Sequence, residues 1–198
     1  MNALHEDWIS PAQYLDQELD APSKSEYVGG AVYAMSGANN RHNRIATNAT
    51  AALVQRLRGQ RCQAFNSDTK VRIQLATHVR FYYPDAMVVC ESNREEDAFQ
   101  DAPSVVVEVL SSRTRRTDES EKKDAYLAIP SLRVYLLVEQ NEALVVAFRR
   151  TDQGFVREKY EGLHAVVPLP ELEPDFEIPL AELYERVRFG QLPEEDES

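Results

Sequence analysis

Cysteine is scarce in this chain: Cys62 and Cys90 are the only two, and they lack the close Cys/His spacing of a structural zinc site. Each lies in an apolar, strand-like stretch far from the other in sequence. The expectation is two reduced core thiols, not a disulfide. Long hydrophobic runs are also missing. Ser104–Leu110 and Val134–Val138 fall far short of the ~20 residues a spanning helix requires, so no bilayer crossing is expected. The start, Met1-Asn2-Ala3-Leu4-His5-Glu6-Asp7, has no basic leader followed by an apolar stretch, which makes the cytoplasm the expected compartment. Glycine is sparse, and the pair Gly29-Gly30 sits between two strand-like segments instead of between strand and helix, which excludes the glycine-rich phosphate loops of nucleotide-binding folds. No G-x-S-x-G element occurs, which argues against a Ser-His-Asp hydrolase built on a nucleophile elbow. Finally, positive charge is in deficit: 22 Lys and Arg stand against 33 Asp and Glu, a net charge of -11. Such a chain is repelled by phosphate backbones overall, so any nucleic-acid contact needs a local basic patch or bridging cations.

What is present suits one ordinary globular domain. Hydrophobic residues make up 43% and charged residues 28% of the 198 positions, a balance that supports a packed core. A single domain over residues 1–190 is expected, followed by an acidic tail over 191–198 (Pro193-Glu194-Glu195-Asp196-Glu197-Ser198) that should fray. Ser10-Pro11 supplies an N-cap and a first-turn proline for a short helix over Ala12–Leu19. Glu26–Val28 and Ala31–Met35 read as two strands joined by the glycine pair. Asn39 or Asn40 caps a helix from Arg41 to Arg58, in which Ile45, Ala49, Ala52, Leu53 and Leu57 recur at helical spacing. Strands are expected at Gln63–Phe65, Val71–Leu75, Tyr82–Val89 and Ser104–Leu110, the last two apolar enough for the middle of a sheet covered on both faces. A helix capped by Thr117 or Asp118 and ending near Ala128 precedes strands at Val134–Val138 and Leu144–Phe148, which suggests a crossover unit. A last strand pair is expected at Phe155–Tyr160 and Ala165–Val167, then a short helix near Leu180–Val187.

Two acids interrupt this apolar pattern. Asp85 follows Tyr83-Pro84 inside one hydrophobic run, and Glu108 stands within Val105-Val106-Val107-Glu108-Val109-Leu110. An ionised carboxylate buried in such a run is costly unless it is paired or binds a metal. The two readings are therefore a compensated core acid and a ligand to a hard divalent cation, which takes oxygen donors and commonly uses one or two carboxylates plus water and phosphate oxygens. Arg113, Arg115 and Arg116 form the dense basic cluster, and with Lys122 and Lys123 they offer the local phosphate-attracting patch; a solvated loop is the plainer reading. Lys122 and Tyr126 are four apart and share a helix face with Ala125 and Ile129, although periodicity does not exclude Lys123. Asp68, in Asn66-Ser67-Asp68-Thr69, reads as a turn residue.

Pro84-Asp85, with Glu108 about two dozen residues on, resembles the bipartite motif of the PD-(D/E)XK nuclease superfamily. Five segments together resemble the Uma family of restriction-endonuclease-like proteins: Glu26-Tyr27-Val28-Gly29-Gly30 with Met35-Ser36-Gly37; His42; Tyr82-Tyr83-Pro84-Asp85; Val107-Glu108-Val109-Leu110-Ser111-Ser112-Arg113-Thr114; and Asp118, Lys122 and Tyr126 running into Ser131-Leu132. The likeness spans roughly residues 10–187. It implies an α/β fold with a restriction-endonuclease-like central mixed β-sheet flanked by helices, and a Mg²⁺-dependent endonuclease, with Mn²⁺ as the alternative ion. On the same likeness Asp85 and Glu108 are the metal ligands. Where the superfamily motif carries its lysine, two residues after Glu108, this chain has Leu110; the resemblance assigns that role to Lys122. It also matches Glu26 to a carboxylate that completes the site, the other reading being an exposed strand-edge acid. His42, Arg113 and Tyr126 are the positions implied for substrate contact, with a surface histidine as the alternative for His42.

The function expected is hydrolysis of DNA phosphodiester bonds. The alternative is a non-catalytic binding or assembly protein that retains the nuclease fold, which the net charge favours. A homodimer, which would let two sites face two strands, is compatible with either.

Overall fold

The computed structural model describes residues 8–35, 37–111 and 115–190; the expected acidic tail lies outside them. Helix α1 (Pro11–Leu19) starts as its sequence dictates, with Ser10 and Gln13 forming a reciprocal capping box ahead of Pro11. Strands β1 (Ser25–Val28) and β2 (Ala31–Ala34) pair antiparallel through Gly29-Gly30. Both glycines have positive φ, 58° and 109°, the geometry a two-residue hairpin turn demands. Helix α2 (Asn40–Arg56) is capped by the Asn39 side chain, which accepts from the His42 amide.

Apart from a two-stranded sheet near the C-terminus, the strands divide between two mixed sheets. The first is ordered β2-β1-β5-β4-β7, with β4 (Lys70–Gln74), β5 (Val79–Tyr82) and β7 (Phe99–Gln100). The second is ordered β11-β10-β9-β8-β6-β3, with β3 (Gln63–Asn66), β6 (Ala86–Val89), β8 (Pro103–Leu110), β9 (Val134–Glu139), β10 (Leu144–Thr151) and β11 (Gly154–Glu161). Strands β8 and β9 run parallel, joined by α3 (Arg115–Asp118) and α4 (Glu121–Leu127), which is the expected crossover. As their apolar runs require, β9 is buried throughout and β8 nearly so.

Packing follows side-chain alternation. Val105, Val107 and Val109 of β8 face α2 through Ile45, Ala49 and Leu53, whereas Val106 and Leu110 join Tyr126 and Ala125 of α4 and Val71, Ile73 and Tyr82 of the other sheet. Tyr14 of α1 closes the far face of the first sheet against Tyr27 and Phe81. Glu108, by the same period of two, shares the α4 side of β8.

Several expectations are corrected. Tyr82–Val89 is not one strand: β5 ends at Tyr82 in one sheet and β6 begins at Ala86 in the other. Pro84, lacking an amide hydrogen, marks the break. The helix expected to Ala128 is two short helices, α3 and α4. Ala165–Val167 does not pair with Phe155–Tyr160; β11 pairs with β10, and β12 (Val166–Pro168) pairs with β13 (Glu177–Pro179). The last helix, α5 (Leu180–Leu183), is half the expected length. Cys62 and Cys90 are not reduced thiols but a disulfide: the ladder Gln63↔Val89 of β3 and β6 brings them to facing positions just beyond the strands' ends, a proximity invisible in their sequence spacing. Among the described residues, no helix is long and apolar enough to cross a membrane.

Candidate active site

Asp85 and Glu108 are brought together by strand pairing. Ala86 of β6 faces Val107 of β8 in an antiparallel register, so the positions next along the ladder are Asp85 and Glu108. Asp85 sits just outside β6, where the ladder has ended, and its carboxylate accepts a 2.7 Å hydrogen bond from the Val109 amide. That bond fixes the side chain at the end of two central strands. On its other flank, His42 at the start of α2 places Nε2 3.4 Å from Asp85 Oδ2. The His42 Nδ1 atom is buried and makes no hydrogen bond among the described residues.

Glu108 is met from α4. Tyr126 donates from its hydroxyl to Glu108 Oε1 at 3.1 Å, and Lys122 Nζ donates to the same oxygen at 3.3 Å. Lys122 also lies 2.8 Å from Glu26 Oε1 on β1 and 3.8 Å from Asp118 Oδ1. Glu26, Glu108, Asp118 and Lys122 are all buried. Glu26 is thus no exposed strand-edge acid, and the periodicity that left Lys122 and Lys123 open resolves to Lys122: Lys123 instead lies over the Phe148 ring. Tyr126, implied at the substrate, is fully buried behind Glu108.

The electrostatics follow from burial. Desolvation pushes the Glu108 carboxyl well above the usual carboxylate range, opposed by Lys122 and reinforced by Asp118, Asp85 and Glu26. Burial raises Asp85 as well, against the pull of His42, the Val109 amide and Lys122. For Lys122 burial disfavours the charged form, but Glu108, Glu26 and Asp118 outweigh it and hold its pKa well above that of an ordinary lysine.

These groups border a cavity of about 670 Å³ lined by Asp85, Glu108, Asp118, Lys122 and His42, together with Lys24, Ser67, Tyr83 and Gln140. Asp118, expected as a helix cap and matched to the family pattern but given no site role, is the further acid at this cavity. Its signal was its place four residues before Lys122, one helical turn away. The basic patch is less available than expected. Arg115 is held by a bidentate pair with Glu139, at 2.6 and 2.5 Å, and Arg113 lies outside the described residues.

The arrangement suits a hard divalent cation in one respect and limits it in another. Three carboxylates, Glu26, Glu108 and Asp118, share one buried ammonium, and Asp85 beside His42 adds a fourth, a cluster rich in oxygen donors. Yet among the described residues no three such side chains form a ready-made ligand cluster. A hard divalent cation commonly takes only one or two carboxylates and fills its remaining positions with water or phosphate oxygens.

The chain's sequence and shape have known counterparts. The Uma2 family model, described as "Putative restriction endonuclease", matches residues 11–181. Two proteins from Synechocystis sp. are similar in sequence. "Uncharacterized protein sll1609" is 34% identical over 135 residues, covering 67% of this chain and 75% of that protein. "Uncharacterized protein slr1290" is 33% identical over 147 residues, covering 74% and 76%. In shape, the crystal structure titled "a putative nuclease belonging to DUF820" from Anabaena variabilis superposes with a TM-score of 0.66 over 86% of this chain and 96% of its own, at 20% identity. A shared fold accounts for that likeness.

Proposed function

On the premise that the chain belongs to the Uma2 family, we propose that it is a divalent-metal-dependent endonuclease that hydrolyses DNA phosphodiester bonds. The observation that carries this reading is the convergence of Asp85, Glu108 and Asp118 with Lys122 on one open cavity, from strands and helices that no packing requirement obliges to carry charge.

Asp85 and Glu108 would hold the ion, Asp85 aimed by the Val109 amide and Glu108 by Tyr126 and Lys122. Bound there, Mg²⁺ or Mn²⁺ would supply Lewis acidity toward a phosphate oxygen and lower the pKa of water. Lys122 stays protonated in this setting, so its part is that of a cation: it stabilises negative charge building on the phosphate and orients the attacking water. Glu26 is a positioning residue, since it reaches the cavity only through Lys122. His42 holds the outer side of Asp85.

The test is calorimetry with Mg²⁺ and Mn²⁺ on wild type and Asp85→Ala, with plasmid nicking assayed on the same samples. Wild type is expected to bind and to nick, and the variant to do neither. A non-catalytic binding protein on the same fold is the second reading, favoured by the net charge of -11 and by the engagement of Arg115 with Glu139. Wild type that binds no metal at millimolar concentration would leave that reading in place.

A further inference from the structure

Most cations near the cavity are already committed. Lys122 serves the carboxylates, Arg115 serves Glu139, and Arg80 lies 3.0 Å from Glu121 while donating to the Tyr82 hydroxyl. Two further lysines, Lys24 and Lys70, converge on Tyr83, two residues before Asp85. Lys24 Nζ lies 5.3 Å and Lys70 Nζ 5.0 Å from the centre of the Tyr83 ring.

Tyr83 and Lys24 line the same cavity as Asp85 and Glu108. The ring is fixed from behind: its hydroxyl donates to Glu18 at 2.9 Å, and Glu18 also accepts from the amide and hydroxyl of Ser25. Lys70 is only 6% exposed, and among the described residues no carboxylate lies within ion-pair distance of it. A buried ammonium without a counterion is costly, and an aromatic face offsets only part of that cost. Burial accordingly lowers its pKa, with Glu18 opposing and Lys24 reinforcing the shift. Lys24 is paired with Asp68 at 2.5 Å and donates to the Ser67 carbonyl, but the Asp68 side chain is 70% exposed. An incoming anion can displace it into water at little cost.

We propose that Lys24 and Lys70, arrayed on Tyr83, form a phosphate-anchoring subsite that takes a backbone phosphate of the nucleic-acid substrate next to the one presented to Asp85 and Glu108. The subsite rests on the nuclease reading of the cavity. It supplies the local positive charge that an acidic chain otherwise lacks, and it does so through residues outside the basic loop. A phosphate there gives Lys70 the counterion it lacks and replaces Asp68 on Lys24.

The probe is a labelled single-stranded DNA oligonucleotide, titrated by fluorescence anisotropy in EDTA over a range of KCl. Lys24→Ala and Lys70→Met should each weaken binding roughly fourfold at about 0.15 M salt. Each should also lower the slope of log K against log[salt] by about 0.7, the share of one phosphate contact on a single strand. Lys24→Arg should retain both. A change of slope is not expected from a structural role alone. Should Lys70→Met fail to fold, Lys24→Ala at its more exposed position decides the matter. Unchanged affinity and slope in Lys24→Ala, or no binding by wild type, overturns the proposal. Mg²⁺ calorimetry on the same variants should match wild type; loss of metal binding by wild type itself would instead count against the nuclease reading and leave the anisotropy result to be judged separately.

Discussion

Lys122 Nζ lies 2.8 Å from Glu26 Oε1, a contact that ties the crossover helix after β8 to the first strand of the other sheet. Both groups are buried, and Glu108 and Asp118 share the same ammonium. Removing a charge from such a cluster leaves its opposite charges uncompensated, which costs more than the pair contributes.

Lys122→Met keeps the aliphatic stem and deletes the charge. It is expected to lower unfolding stability by about 3–5 kcal/mol, measured by urea denaturation without divalent ions. Added Mg²⁺ should recover more stability in the variant than in wild type, because the remaining carboxylates then lack their own cation. Equal stability of the two proteins in EDTA would show that Lys122 compensates nothing.

Part of this centre was legible through burial and part only through the family resemblance. Asp85 and Glu108 stood out because each breaks an apolar run, whereas Lys122 was singled out by the resemblance, its helix face leaving Lys123 open. Asp118 matched the family pattern but was given no site role, because an acid near a helix start has an ordinary explanation as a cap. The division of the strands between sheets was not legible either: Tyr82–Val89 is apolar on both sides of Pro84-Asp85, and only Pro84 hints that the chain changes sheets there. Local patterning reports which face is buried, not which strand lies beside it. The Cys62–Cys90 pairing failed for the same reason, since it depends on the register of β3 with β6.

That disulfide closes a loop of 28 residues, which in the chain-entropy account stabilises the fold by about 3–4 kcal/mol. Denaturation midpoints with and without reductant should differ accordingly, and Cys62→Ser with Cys90→Ser should reproduce the reduced value. Intact mass after alkylation under non-reducing conditions provides the direct check. Two alkylated thiols on the native protein, with no change of stability on reduction, would contradict the bond.

At the alkaline end, stability should be governed by buried phenols. Burial pushes Tyr82 up to about 12, and it also raises Tyr14, Tyr83, Tyr126, Tyr135 and Tyr184. In the unfolded chain each titrates near its usual value of about 10. Between the unfolded and folded values the native state therefore binds more protons than the unfolded state, and stability falls as pH rises. The contribution is complete below about pH 10 and is lost as pH climbs through the folded values. Phenolate absorbance should show these tyrosines remaining neutral past pH 10 and ionising together with the loss of far-UV circular dichroism, as a cooperative unfolding step. Reversible ionisation of all of them near pH 10 with the backbone signal intact would mean that the core around Tyr126 and Tyr135 is open to solvent. Such a core could not hold Glu108 in the buried geometry on which the candidate site depends.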